Sequence, residues 1–140
     1  MSEKKISHSL EETNALAAEF ALSLKGGELV ALIGDLGSGK TTFVRGVVEA
    51  LGSRVRVKSP TFTVMNEYPI DSEKVKKIVH VDLYRFKDPK HLGGIELDDM
   101  MKEYTVVFVE WPDIFGKMFA KADREVRFKF VDEDTREIEI

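Results

Sequence analysis

The first apolar pattern in the chain predicts an amphipathic helix near the amino terminus. Ser9-Leu-Glu-Glu12 has the form of a capping box, in which a hydroxyl and a carboxylate accept hydrogen bonds from N–H groups left free at a helix start. The apolar residues that follow at close to helical spacing are Leu10, Leu16, Phe20 and Leu24. Since Gly26-Gly27 ends the pattern, we predict an opening helix of roughly four turns, at about 3.6 residues per turn.

The next two patterns predict a buried strand followed by a second helix. Residues 28–33 are a glutamate followed by five apolar residues, a pattern typical of a short buried strand. Residues 42–51 have the spacing of a helix, and Gly52 is placed to end it. A strand, a glycine-rich loop and a helix therefore follow one another in this part of the chain.

Two later apolar runs each end in an acid. Residues 78–81 precede Asp82, and residues 106–109 precede Glu110, so each acid lies at the carboxyl end of a predicted strand. Weaker patterns predict an extended segment at 55–57, a β-rich segment at 62–68, a polar connection at 71–76, a helix at 95–103, and a hairpin of strands 125–131 and 136–140.

The composition is typical of a soluble globular protein. Of the 140 residues, 33% are charged and 43% are hydrophobic, and no apolar run approaches the ~20 residues of a membrane span. The amino terminus lacks the apolar core of a signal peptide, so we expect one cytoplasmic domain, residues 1–140. The absence of cysteine excludes disulfides and thiolate chemistry, and the net charge of −4 argues against a broad nucleic-acid surface.

The loop between the first strand and the second helix fits the phosphate-binding P-loop, G-x-x-x-x-G-K-[ST], at every fixed position. Its glycines allow successive backbone N–H groups to face one anion, next to the positive end of the helix dipole. Lys40 would reach the β- and γ-phosphates, and the Thr41 hydroxyl would bind magnesium. The residues predicted to bind the nucleotide here are Gly34, Asp35, Leu36, Gly37, Ser38, Gly39, Lys40, Thr41 and Thr42. The alternative is a glycine-rich turn that binds nothing, which gives no reason for Lys40 and Thr41 at those offsets.

The two acids at strand ends complete a predicted magnesium site. In P-loop proteins an acid at this position lies beside the metal, and a second carboxylate can orient or deprotonate the attacking water. The predicted fold is α/β, P-loop NTPase-like, with a mainly parallel central sheet, an antiparallel C-terminal hairpin and few helices. With so few helices, we expect one sheet face to be thinly covered and available to a partner.

Three further features have both a functional and a structural interpretation. Ser59-Pro60-Thr61-Phe62 is either a switch that senses the γ-phosphate or a turn with local hydrogen bonds. Trp111 is either an aromatic surface for a base or partner or a core residue. His80, which alternates with Asp82 and Tyr84, is either a ligand or a hydrogen-bonded structural residue, and we favour the structural interpretation.

Four motifs in this order resemble the TsaE (also called YjeE) family over nearly the whole chain. The matching segments are Gly34-Asp-Leu-Gly-Ser-Gly-Lys-Thr-Thr-Phe-Val-Arg-Gly46, Ser59-Pro-Thr-Phe62, His80-Val-Asp-Leu-Tyr-Arg85 and Glu110-Trp-Pro112. Members are small bacterial ATPases required, with the TsaB–TsaD pair, to make threonylcarbamoyladenosine in tRNA next to the anticodon. The resemblance therefore implies ATP and Mg²⁺ as cofactors, and contact with tRNA only through the partner complex.

The resemblance also implies roles for individual residues. Lys40 and Thr41 bind phosphate and magnesium, Glu110 stands in the magnesium-coordinating position, and Asp82 is the candidate for activating water. We therefore take Asp82 and Lys40 as the catalytic candidates. Thr61 falls in the family's switch-like turn and Trp111 in its Glu-Trp pair, which adds both to the nucleotide-binding set.

Three other functions remain open at this point. A small P-loop kinase would have the same loop, although the chain is short for an arginine-bearing lid and an acceptor site. A regulatory GTPase would need an Asn-Lys-x-Asp segment to recognise guanine, which the sequence lacks. A structural partner with a vestigial site would keep its cellular function without Lys40.

Overall fold

A computed structural model of the protein describes residues 3–34, 38–53, 65–82, 102–111 and 122–140. These contain the strands and helices β1 (Lys4–Ser7), α1 (Leu10–Leu22), β2 (Leu29–Gly34), α2 (Lys40–Ala50), β3 (Met65–Pro69), β4 (Lys77–Asp82), β5 (Thr105–Trp111), β6 (Arg124–Phe130) and β7 (Arg136–Glu139). The seven described strands form one sheet in the order β1-β7-β6-β2-β5-β4-β3.

The centre of the sheet is parallel and its edges are antiparallel, which confirms the predicted fold class. Strand β2 pairs in parallel with both β5 and β6, and β5 pairs in parallel with β4. Antiparallel pairs add β3 at one edge and β7 and β1 at the other. The predicted hairpin is present, but its first strand, β6, belongs to the parallel set, and only β7 turns back.

Helix α1 begins as the capping box predicts. Ser9 is the N-cap, and its Oγ accepts a hydrogen bond from Glu12 N at 3.1 Å. The Glu12 carboxylate accepts from the backbone N–H of His8, one residue before the position that the capping box specifies. The helix ends at Leu22, where the backbone N–H of Ser23 donates to Phe20 O, so α1 is shorter than the pattern predicted.

The sequence analysis missed strand β1. Its residues Lys4-Lys5-Ile6-Ser7 are mostly polar and lack the alternation that indicates a strand. The strand forms because β7 offers a free edge: Lys4 lies opposite Glu139, and Lys4 Nζ lies 3.7 Å from a carboxylate oxygen of Glu137. A short charged strand at a sheet edge also discourages pairing with other chains.

The other predicted elements agree with the structure where it describes them, except for the carboxyl end of the helix predicted at 95–103. Helix α2 starts two residues before the predicted start and ends one residue before Leu51, while β4 and β5 each include the acid that was expected to end them. The β-rich segment at 62–68 is described only from Met65, where β3 begins. The segment at 55–57, the turn at 59–62 and the helix at 95–101 lie outside the described residues, and residues 102–103 are not helical.

Both described helices pack on one face of the sheet. Phe43 of α2 lies at the centre of this core, with ring centroids 5.3 Å from Phe20 of α1 and 5.5 Å from Phe128 of β6, in both cases edge to face. Phe43 is fully buried, together with Leu32 and Phe108 of the central strands. Burial of this kind contributes about 1.5–3 kcal/mol per large side chain, so it fixes α2 firmly against β2.

The expectation of a thinly covered sheet face is wrong at the centre of the sheet. Six residues of β2, β4 and β5 that point away from the two helices are at most 3% exposed. They are Leu29, Ala31, Val79, Val81, Val107 and Val109. The central part of that face is therefore not free to bind a partner.

Among the described helices, neither is long and apolar enough to cross a membrane.

Gly46 provides a test of the packing between α1 and α2. A Cβ on Gly46 would lie 2.6 Å from Ala17 Cβ and 3.2 Å from Asn14 Oδ1. We expect Gly46→Ala to lower the free energy of unfolding by about 1 kcal/mol, because overpacking outweighs the gain in helix propensity. Urea unfolding measures the change. In Gly46→Ala/Ala17→Gly the destabilisation should be smaller than the sum of the two single changes, and strict additivity would contradict the contact.

Candidate functional site

A glycine lies at each described end of the junction between β2 and α2. Gly39 has φ +106°, a left-handed conformation that glycine adopts without strain. Gly34 is closely surrounded: a Cβ there would lie 2.6 Å from Phe128 O and 2.8 Å from Ser38 Oγ. Both glycines are therefore required by local geometry. Asp35, Leu36 and Gly37, which the sequence predicts to bind the nucleotide, lie outside the described residues.

Helix α2 begins in a way that suits an anion. Its N-cap is Gly39, so no side chain caps the helix, and no acidic residue lies in its first turn. The first helical residue is instead Lys40, a cation at the positive end of the helix dipole. Repulsion between this cation and the dipole favours a negatively charged group at this end of the helix.

The Lys40 side chain is folded back onto the end of β2. It is only 5% exposed, and its Nζ donates a hydrogen bond to Gly34 O at 2.6 Å. Ser38 Oγ, 0% exposed, is a buried polar atom for which the described residues supply no hydrogen-bond partner. The Ser38 hydroxyl could donate to a phosphate oxygen, and the Lys40 ammonium is a charged donor of the kind that binds phosphate, so the described residues fit the predicted ligand.

The two predicted acids lie side by side at the carboxyl edge of the sheet. Asp82 of β4 is paired in register with Glu110 of β5, and Glu110 is paired with Leu32 of β2, two residues before the end of that strand. Glu110 is 7% exposed, and its Oε2 lies 3.6 Å from His80 Nε2. Glu110 therefore lies on the strand next to β2, which leads into the loop, and Asp82 lies one strand further from β2.

Magnesium is compatible with this arrangement. Within the described residues no group of three or more acidic or histidine side chains lies close enough to hold a metal by itself. Mg²⁺ typically binds one or two protein oxygens together with substrate phosphates and water. The pair expected here, the Thr41 hydroxyl and the Glu110 carboxylate, is of that kind, with Thr41 half-buried in the first turn of α2.

The remaining predicted residues are only partly described. Thr42 is half-buried on α2 beside Thr41. The backbone of Trp111 belongs to β5 and is paired with Ile33 of β2, which places it at the same sheet edge. Thr61 lies outside the described residues.

The sequence analysis missed a group of hairpin residues beside the loop. A Cβ on Gly39 would lie 4.0 Å from Arg136 Cγ, at the start of β7. The Arg136 guanidinium lies over the Phe130 ring, 4.6 Å from its centroid, and donates to Thr135 O at 3.0 Å. Phe130 itself is 47% exposed. No local sequence signal indicates this contact, because it depends on the pairing of β6 with β2.

The turn of this hairpin is fixed by Asp132. One oxygen of its carboxylate accepts from the backbone N–H groups of Asp134 at 3.0 Å and Thr135 at 2.8 Å. The hydrogen bond from the Asp134 backbone, followed by one from the Thr135 side chain, lowers the pKa of the Asp132 carboxyl. These bonds define the position of Arg136, which follows the turn directly.

Comparison with protein families gives one match over most of the chain. Residues 7–138 match the family model described as threonylcarbamoyl adenosine biosynthesis protein TsaE. The chain is 38% identical to the tRNA threonylcarbamoyladenosine biosynthesis protein TsaE of Bacillus subtilis over 128 residues, which cover 91% of this chain and 78% of the relative. The protein of the same name from Aquifex aeolicus is 36% identical over 137 residues, which cover 96% and 92%.

A comparison with solved structures agrees. The crystal structure of Bacillus subtilis YdiB superposes with a TM-score of 0.72 at 31% identity, covering 99% of this chain and 84% of that one.

The two described loop glycines give a test of the turn. In Gly39→Ala the added Cβ would lie no closer than 4.0 Å to any neighbouring atom of the described residues. This change should therefore lower the free energy of unfolding only by the cost of a left-handed backbone, about 1–2 kcal/mol. Gly34→Ala also overlaps the carbonyl oxygen of Phe128, so we expect it to lower the free energy of unfolding by at least about 1 kcal/mol more. Urea unfolding with circular dichroism compares the variants. Equal stability of the two would show that β6 does not press against Gly34.

Proposed function

The chain belongs to the TsaE family, and from that premise we propose that it binds and hydrolyses ATP with Mg²⁺ at the β2–α2 junction. The observation that carries the proposal is the position of Lys40, a buried cation at an uncapped helix start that has no acid in its first turn. A cation at this end of a helix is disfavoured by about 0.3–1 kcal/mol, and a bound anion reverses that balance. The terminal phosphates of a nucleotide supply such an anion.

The proposed metal ligands are Thr41 and Glu110. Bound Mg²⁺ would neutralise charge on the β- and γ-phosphates. The Thr41 hydroxyl lies on the first turn of the helix that faces the phosphates, and Glu110 lies on the strand next to β2. Support for this assignment comes from the low exposure of the Glu110 carboxylate, since a buried charged group requires a partner.

Asp82 is the proposed base. The oxygen of a water molecule bonds to the γ-phosphorus while the bond to the β–γ bridging oxygen breaks, and Asp82 accepts the water proton. Lys40 stays on the β- and γ-phosphate oxygens and stabilises the charge that develops there. Support for separate roles comes from the pairing of Asp82 with Glu110 on adjacent strands.

We further propose that the protein acts with TsaB and TsaD in forming threonylcarbamoyladenosine in tRNA next to the anticodon. Its relatives carry the name tRNA threonylcarbamoyladenosine biosynthesis protein TsaE, which supports the process and a cytoplasmic location. In this proposal the nucleotide works as a switch that resets the TsaB–TsaD complex, and tRNA is contacted only through that complex. Thr61 would sense the γ-phosphate, and Trp111 would contribute to the nucleotide site.

Separate roles for the two acids predict different kinetic effects. Glu110→Ala should weaken Mg²⁺-dependent ATP binding by at least about tenfold, because it removes a metal ligand. Asp82→Ala should leave binding nearly unchanged and slow single-turnover hydrolysis by about 10²–10⁴-fold. Calorimetry and quenched-flow assays measure the two quantities.

The controls for these variants are Glu49→Ala, at the exposed end of α2, and Asp71→Ala, also exposed. Both should match the wild type. The reverse pattern, with binding lost in Asp82→Ala and hydrolysis alone lost in Glu110→Ala, would exchange the two roles.

Coupling to the partner complex predicts that ATP turnover is slow for the protein alone and faster with TsaB and TsaD present. Steady-state phosphate release at saturating Mg²⁺-ATP measures both rates, with TsaB or TsaD added singly as controls. Equal rates with and without the pair would rule out the coupling while leaving the ATP site itself in place.

A further inference from the structure

His80 is a buried polar residue that the proposed reaction does not use. It lies in the middle of β4 on the same face as Ile78, a core residue, and both are 0% exposed. Among the described residues neither Nδ1 nor Nε2 of the ring has a hydrogen-bond partner. A histidine here with no partner for either nitrogen calls for an explanation, because buried polar groups are almost always hydrogen-bonded.

The position of Glu110 supplies that explanation. Its Oε2 lies 3.6 Å from His80 Nε2, just beyond hydrogen-bond distance. A neutral imidazole carries one proton, on either Nδ1 or Nε2. With the proton on Nε2, a movement of the carboxylate by about 0.7 Å gives an N–H···O bond of ordinary length.

We propose that His80 is the positioning residue for Glu110: its Nε2–H donates to Oε2 and leaves Oε1 directed to the Mg²⁺ of the bound nucleotide. The proposal rests on the proposed function, because it assigns the support of the metal ligand in that same site. Carboxylates that ligate metals are usually held by a hydrogen bond of this kind, which fixes their orientation. The same hydrogen bond would connect β4, which carries Asp82, to Glu110, the proposed metal ligand on β5.

The competing interpretation is a histidine that only fills space in the core. In that case an apolar replacement of similar size leaves Mg²⁺ binding unchanged, since no hydrogen bond is lost. The positioning role instead requires a donor at the place of Nε2. The two interpretations therefore differ in the response to a glutamine, which retains an N–H donor, and to a leucine, which does not.

The experiment compares His80→Leu and His80→Gln with the wild type by calorimetric titration of ATP over a range of Mg²⁺ concentrations. We expect the half-saturating Mg²⁺ concentration to rise about 10–100-fold in His80→Leu and to stay within about threefold in His80→Gln. In a Glu110→Ala background, His80→Leu should have no further effect. His8→Leu is the matched control, because His8 is exposed and distant in sequence from the site. An unchanged Mg²⁺ dependence in His80→Leu would overturn the proposal.

A second measurement needs neither nucleotide nor metal. Long-range ¹H–¹⁵N spectra of the metal-free protein report which ring nitrogen of His80 carries the proton, with assignment by the loss of signals in His80→Gln. We expect a proton on Nε2 and an Nε2 proton resonance that shifts in Glu110→Gln. A ring protonated at Nδ1 alone would overturn the proposal.

The two measurements also separate this inference from the proposed function. If the folded wild type fails to bind Mg²⁺-ATP, the proposed function fails, and with it the role of His80 toward the metal. If the wild type binds Mg²⁺-ATP and His80→Leu binds it equally well, only the positioning role fails.

Discussion

The site depends on one electrostatic constraint, the burial of the Lys40 ammonium at the start of α2. The helix begins at a glycine that offers no side-chain cap, its first turn contains no acid, and the lysine is folded back onto the carbonyl of Gly34. A protein selected for stability alone would place Ser or Asp at the cap and an acid in the first turn. The departure from that pattern leaves this end of the helix suited to a negatively charged ligand.

The order of strands around β2 places the other groups near this lysine. Strand β5, on one side of β2, carries Glu110 near its carboxyl end. Strand β6, on the other side, packs Phe128 against Gly34. The same strand leads into the hairpin that contains Arg136. Ligands of parallel α/β sheets bind beyond the carboxyl ends of the strands, where neighbouring connections diverge. The rigid packing of Phe43 between Phe20 and Phe128 fixes α2 relative to both strands.

Much of this architecture could be predicted from the sequence because its signals are local. Neighbouring residues alone define the capping box at Ser9, the glycines that precede Lys40, and the apolar runs before Asp82 and Glu110. Features that depend on distant pairing could not be predicted. Strand β1 has no pattern of its own and exists through β7, Arg136 reaches Gly39 only because β6 lies beside β2, and the His80–Glu110 approach depends on the register of β4 and β5.

The most direct test of this account is calorimetric titration of the folded protein with ATP in the presence of Mg²⁺, for the wild type, Lys40→Ala and Arg45→Ala. The wild type should bind, and Lys40→Ala should bind about 10–150-fold more weakly, which corresponds to the loss of about 1.5–3 kcal/mol from charged hydrogen bonds. Arg45→Ala, on the same helix, should bind as the wild type does. Absence of binding heat for the folded wild type, or equal affinity of Lys40→Ala and the wild type, would contradict the account.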